Sequence, residues 1–155
     1  MSAAVIGNKL PAFSLPATSE LTIALKDLKG KNVVIYFYPK DSTPGCTTEG
    51  QNFRDLYPDF KKLNTEILGV SRDSIKKHEN FKAKQAFPFE LLSDEEEVLC
   101  KLFDVIKEKK LYGKTYMGIE RSTFLIDAKG VLRQEWRKVK VKEHVDEVLA
   151  AVKQL

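Results

Sequence analysis

The longest unbroken apolar run in the chain is Val33-Val34-Ile35-Tyr36-Phe37-Tyr38. Apolar side chains at successive positions face both sides of a sheet, so Asn32 to Tyr38 predicts a central strand covered on both faces. The period then changes. Phe53, Leu56, Tyr57 and Phe60 recur at helical spacing, which predicts a helix from just after Cys46 to about Leu63, kinked at Pro58. Glu66 to Ser71 predicts a second buried strand. Ser74 caps a helix through about Lys84, and Phe87 to Leu92 forms a short strand. Ser93 and Glu96 fit a capping box that starts a helix carrying Val98, Leu99, Leu102 and Phe103. Lys107 to Ile119, with Gly113, Gly118 and many Lys and Tyr, predicts a long loop. Arg121–Ile126 and Val131–Trp136 read as strands joined by an Asp127–Gly130 hairpin turn. Lys142 to Leu155 reads as an amphipathic final helix. Before the central strand, Leu10 to Leu28 reads as short strand and turn pieces. The order is a βαβα half, a hairpin and a last helix. It predicts an α/β fold with a central mixed sheet and helices on both faces.

Composition changes this picture little. At 155 residues, 43% hydrophobic and 31% charged, residues 1–155 are expected to form one soluble domain. The first residues, Met1 to Gly7, lack the basic start and apolar block of a signal peptide, so a cytoplasmic location is expected and no membrane association. The net charge of +4 is spread through Lys–Glu mixtures and does not suggest nucleic acid. Trp136 to Lys142 alternates as a lysine-guarded edge strand would. His78 and His144 sit in polar helical surroundings and read as solvated. With Cys46 and Cys100 they lack the close pairing of zinc ligands, so no metal and no cofactor are expected.

The candidate chemistry lies at the junction of strand and helix. Pro39-Lys40-Asp41-Ser42-Thr43-Pro44-Gly45-Cys46 empties the central strand into a helix N-terminus, where amides lack partners and the dipole is positive. A thiol there should ionise more readily than a free one. At a pKa of ~8.5 only about 3% of a thiol is thiolate at neutral pH, and at ~6 about 90%. Thr43 places a hydroxyl near the sulfur, Pro44 shields and stiffens the loop, and the amides of Gly45 and Cys46 could bind a polar oxygen. Such a site suits attack on a peroxide O–O bond, which leaves a sulfenic acid. By itself, a lone cysteine near a helix start is more often a small buried hydrophobe.

Pro39-x-x-x-Thr43-x-x-Cys46 resembles the signature of peroxiredoxins. The flanks Tyr36 to Asp41 and Thr43 to Thr47 are similar to the bacterioferritin comigratory protein / peroxiredoxin Q subfamily. So are Leu91 to Asp94, Tyr112 to Lys114 and Gly118 to Asp127. The resemblance runs from about Gly7 to the C-terminus. It implies a thioredoxin-like fold and a thiol peroxidase acting on hydrogen peroxide and organic hydroperoxides. It implies Cys46 as peroxidatic cysteine, Thr43 bonding substrate and sulfur, Pro39 shaping the pocket and Arg121 holding thiolate and peroxide. Glu49 would buttress that arginine. The implied reductant is thioredoxin, glutaredoxin or a low-molecular-weight thiol, and the implied state a monomer.

The chain departs from the family in its second thiol. Many members carry a resolving cysteine five residues after the first, here Gln51, or in the next helix near Phe81 to Lys84, which has none. Only Cys100 is left. On the helix expected there, Cys100 points about 130° from the apolar face and would be partly exposed. A one-cysteine mechanism with an external thiol is therefore expected. A Cys46–Cys100 disulfide, within or between chains, is the alternative. A redox sensor or holdase without turnover is the competing class.

Overall fold

The computed structural model describes residues 4–155. Met1 to Ala3, the start of the stretch read for a signal peptide, lie outside them. An antiparallel pair, β1 (Ser14–Pro16) and β2 (Thr22–Ala24), leads through a short 3-10 turn at Leu25–Leu28 into β3 (Asn32–Phe37). There follow α1 (Pro44–Lys62), β4 (Thr65–Ser71), α2 (Ile75–Gln85), β5 (Glu90–Ser93) and α3 (Val98–Leu102). The chain closes with β6 (Ile106–Leu111), β7 (Lys114–Ile119), β8 (Ser122–Ile126), β9 (Leu132–Trp136) and α4 (His144–Val152). Five strands form the central sheet in the order β5-β4-β3-β8-β9. β3, β4 and β5 run parallel, and β8 and β9 are antiparallel to their neighbours. This is the thioredoxin-like arrangement, with β3 in the middle as its apolar run demands. No helix among the described residues is long and apolar enough to cross a membrane.

Alternation along β3 divides the core in two. Val33, Ile35 and Phe37 join one buried cluster with Leu99, Cys100 and Phe103 of the α3 region. Val34, Tyr36 and Tyr38 join the other, with Phe53 and Phe60 of α1, Phe81 of α2 and Val148 of α4. The second cluster is rich in aromatic contacts; Tyr36 stacks on Phe53 with ring centres 4.5 Å apart. Such a pair contributes about 1 kcal/mol beyond its buried area.

Four expectations are corrected. Lys107–Ile119 is not a loop but the β6–β7 hairpin, paired from Ile106↔Ile119 to Leu111↔Lys114. Its two-residue turn, Tyr112-Gly113, has φ of 51° and 76°, a conformation that favours glycine at the second position. Ser93 does not cap a helix. It ends β5, and its hydroxyl donates to the carbonyl of Asp73 at 2.6 Å. α3 starts later and spans five residues, and the carboxylate of Asp94 accepts the Cys100 N–H at 2.7 Å. Cys100 is fully buried rather than partly exposed. His78 and His144 are likewise buried, not solvated. By contrast, α1 continues unbroken through Pro58, and Ser74 caps α2 by accepting the Lys77 N–H at 3.3 Å.

Candidate active site

β3 ends at Phe37, and the chain needs only Tyr38 to Thr43 to reach α1. Pro44 is the first residue of that helix, where its missing N–H costs nothing. Thr43 is the N-cap, yet its hydroxyl does not cap. It donates to the carbonyl of Lys40 at 2.8 Å. Its one hydrogen is thus spent, and its lone pairs are what it can offer to a ligand. The first helical bond runs from the Thr47 N–H to the Thr43 carbonyl at 2.9 Å. The amides of Gly45 and Cys46 precede it and have no intrahelical acceptor. Cys46, third in the helix, is 2% exposed. Pro39 is half-buried at the loop's start.

Arg121 reaches this corner through the sheet. β8 pairs with β3 so that Ser122 lies opposite Phe37, which puts Arg121 beside the end of β3. Its Nη2 donates to Cys46 Sγ at 3.3 Å, and its Nη1 donates to Glu49 Oε1 at 2.7 Å. One guanidinium therefore bridges sulfur and carboxylate. Glu49 lies three residues past Cys46, on the same face of α1, and is completely buried. Burial pushes its carboxyl up to about 7, against the opposing pull of Arg121. Burial would lower Arg121, but Glu49 and Cys46 outweigh it and hold the guanidinium above its usual range. Gly45 lets the guanidinium approach: a methyl there would lie 3.2 Å from Nη2. Lys109, which lies in the stretch expected to be a loop, stands on β6 within electrostatic reach of both Cys46 and Arg121. Burial and then Arg121 lower its pKa. Only the hairpin brings it there, so no local pattern announced it.

The structure thus brings together Cys46, Thr43, Gly45, Pro44, Glu49 and Arg121. It does not bring Cys100 to them. The sheet lies between the two sulfurs, which belong to different core clusters. Burial and then Asp94 push the Cys100 thiol well above its ordinary range. Gln51 donates to Gln85 Oε1 at 2.9 Å, tying α1 to α2 where kindred chains are expected to place a second thiol. Among the described residues, Asp41, Asp73 and His78 form the one grouping with metal-ligand chemistry, and they bond to one another.

Residues 6–135 match the model of the AhpC/TSA family. The chain belongs to the AhpC/TSA family. It is 56% identical to Peroxiredoxin Bcp of Xanthomonas campestris pv. campestris, over 99% of this chain and 97% of that protein. The solved structure of Xylella fastidiosa PrxQ superposes with a TM-score of 0.94 at 46% identity, covering 99% of this chain and 98% of the other. A structure of the Xanthomonas campestris bacterioferritin comigratory protein, from a study of its alkyl peroxide reduction activity, gives a TM-score of 0.89 at 52% identity. It covers 95% of this chain and 98% of that one. The resemblance to the bacterioferritin comigratory protein / peroxiredoxin Q subfamily therefore holds along the chain. The protein is a thiol-dependent peroxidase.

Proposed function

We propose that the chain reduces hydrogen peroxide and alkyl hydroperoxides at Cys46 and is returned to the thiol by an external thiol. The observation that carries the site is the Arg121 guanidinium bonded at once to Cys46 Sγ and Glu49 Oε1. The Cys46 thiolate attacks one peroxide oxygen. An S–O bond forms, the O–O bond breaks, and the departing oxygen takes up a proton to leave as water or alcohol. Cys46 is left as sulfenic acid. Arg121 Nη2 and the free amides of Gly45 and Cys46 face the oxygen on which negative charge develops. Thr43, its hydrogen committed to Lys40, accepts from the peroxide O–H. Pro39, half-buried, shapes the start of the loop, and Pro44, exposed, stiffens the first turn of α1. An outside thiol then attacks the sulfenic sulfur and releases water, and a second thiol resolves the mixed disulfide. The relative's alkyl peroxide reduction supports the substrate class.

The one-cysteine route is supported by the position of Cys100 across the sheet, since a disulfide needs Cα atoms within about 7 Å. Mass spectrometry after one equivalent of peroxide tests it. The expected product carries one oxygen on Cys46 with Cys100 still a thiol. A Cys46–Cys100 bridge would overturn it. Cys46→Ser should abolish peroxide removal. Repeated turnover with thioredoxin, glutaredoxin or a small thiol separates a peroxidase from a sensor, which would give one stoichiometric burst.

A further inference from the structure

The loop that delivers Cys46 is held from below by a buried polar cluster centred on Asp41. Tyr38 Oη donates to Asp41 Oδ1 at 2.6 Å, and Asp41 Oδ2 lies 2.6 Å from His78 Nδ1. The Asp41 N–H donates to Asp73 Oδ2 at 2.8 Å, and Ser71 Oγ donates to that same oxygen at 2.6 Å. The other ring nitrogen of His78, Nε2, lies 2.9 Å from the carbonyl of Leu92. One loop residue is thereby joined to the ends of β3 and β4, to β5 and to α2.

Hydrogen counting shows why the two partners need each other. The Leu92 carbonyl only accepts, so His78 Nε2 carries a hydrogen. Asp41 Oδ1 already receives the hydrogen of Tyr38. A further hydrogen must lie between Nδ1 and Oδ2. The pair therefore exists as imidazolium with carboxylate or as imidazole with carboxylic acid, and is neutral overall in both forms. Without His78, a buried carboxyl oxygen of Asp41 would face no donor. The next residue, Ser42, has φ of 64°, in the left-handed region that a serine disfavours. It is held between two pinned neighbours, Asp41 and Thr43. Arg121 comes from the start of β8 and does not depend on this loop.

We infer that the Asp41–His78 pair is a positioning device for the peroxide reaction, clamping the Pro39–Thr43 loop to α2 so that Thr43 and the helix-start amides meet the substrate. This rests on the peroxidase reading above. His78 touches no reacting atom and acts through Asp41.

The test compares two reactions of Cys46 by rapid mixing: oxidation by hydrogen peroxide, which needs the loop groups, and alkylation by iodoacetamide, which reports the thiolate. In His78→Leu and Asp41→Asn, oxidation should slow by about ten- to a hundredfold, with alkylation within about twofold of wild type. His78→Gln, which keeps a donor toward Asp41, should recover most of the oxidation rate. The double variant should be no slower than the slower single one, because both remove the same contact. A full oxidation rate in His78→Leu, or oxidation and alkylation falling together, would overturn the inference. Should His78→Leu fail to fold, Tyr38→Phe removes one hydrogen bond to Asp41, and an unchanged ratio of the two rates there overturns it equally. A wild-type chain inert to peroxide but alkylated normally overturns the peroxidase reading, and this one with it.

Discussion

Glu49→Gln isolates the energetic consequence of the buried carboxyl that shares Arg121 with Cys46 Sγ. The Glu49 side chain has no exposure, and burial raises its pKa from the usual 4.5 to about 7 despite Arg121. Between those values the unfolded chain has lost a proton that the folded chain keeps. The folded state therefore binds more protons, and its stability falls as pH rises through this window. The full fall amounts to about 3 kcal/mol. Glutamine cannot ionise and still offers Arg121 Nη1 an oxygen, so the variant lacks this slope. Urea unfolding followed by circular dichroism, with Cys46→Ser in both chains to silence the thiol, measures the difference. Relative to its parent, the Gln variant should gain about 3 kcal/mol between about pH 4 and about pH 8. With a slope near 2 kcal/mol per molar urea, that is a relative midpoint shift of about 1.5 M. Midpoints that stay parallel across the range would mean that Glu49 ionises as an ordinary carboxylate, and would refute the reasoning.

Four further outcomes follow from the same geometry. Arg121→Met keeps an unbranched apolar stem and removes the guanidinium donors; stopped-flow oxidation of Cys46 should slow by about a hundred- to a thousandfold, and an unchanged rate would remove Arg121 from the site. Gly45→Ala places a methyl 3.2 Å from Arg121 Nη2 and should cost about tenfold in the same assay; an equal rate would mean the guanidinium yields freely. His144 is buried with Nε2 2.8 Å from Thr123 Oγ1, and burial, then Arg121, lowers its pKa from 6.5 to about 4. The unfolded chain binds the extra proton in that window, so about 3 kcal/mol is lost as pH falls through it, and His144→Gln should flatten this acid limb of a denaturation series. Gly50→Ala would set a methyl 2.3 Å from Cζ of the buried Phe87 ring; thermal unfolding should show a loss of about 1–3 kcal/mol, and an unshifted midpoint would mean that the ring has room.

The centre of the fold was legible because its signals are local. Val33 to Tyr38 could only be a strand covered on both faces, and the change of period after Cys46 marked the junction. The role of Glu49 came from the family resemblance, while Thr43 and Gly45 followed from their spacing to Cys46. Arg121 did not: 75 residues separate it from the sulfur, and only the Phe37↔Ser122 register joins them. The family signature supplied what periodicity could not. The β6–β7 hairpin was missed because Lys and Glu outnumber apolar residues on β6 and both strands are largely exposed. His78 was missed for the opposite reason. Its own helix is polar, and its burial comes from Asp41 and Leu92, on other elements. The orientation of Cys100 failed because Val98 was counted into the buried face, whereas Val98 is exposed and the short α3 buries Leu99 and Cys100.

The sheet that stands between Cys46 and Cys100 also governs wear. On the one-cysteine route proposed above, an oxidised Cys46 waits for a collision, and two kinds of molecule compete for it. A reductant thiol completes the cycle. A second peroxide carries the sulfur on to sulfinic acid, which ordinary thiols do not reverse. The chance of inactivation in each cycle then rises with the ratio of peroxide to reductant and is independent of the protein's own concentration. Such a peroxidase is suited to scavenging small amounts of peroxide in a well-reduced compartment, and a peroxide surge consumes it.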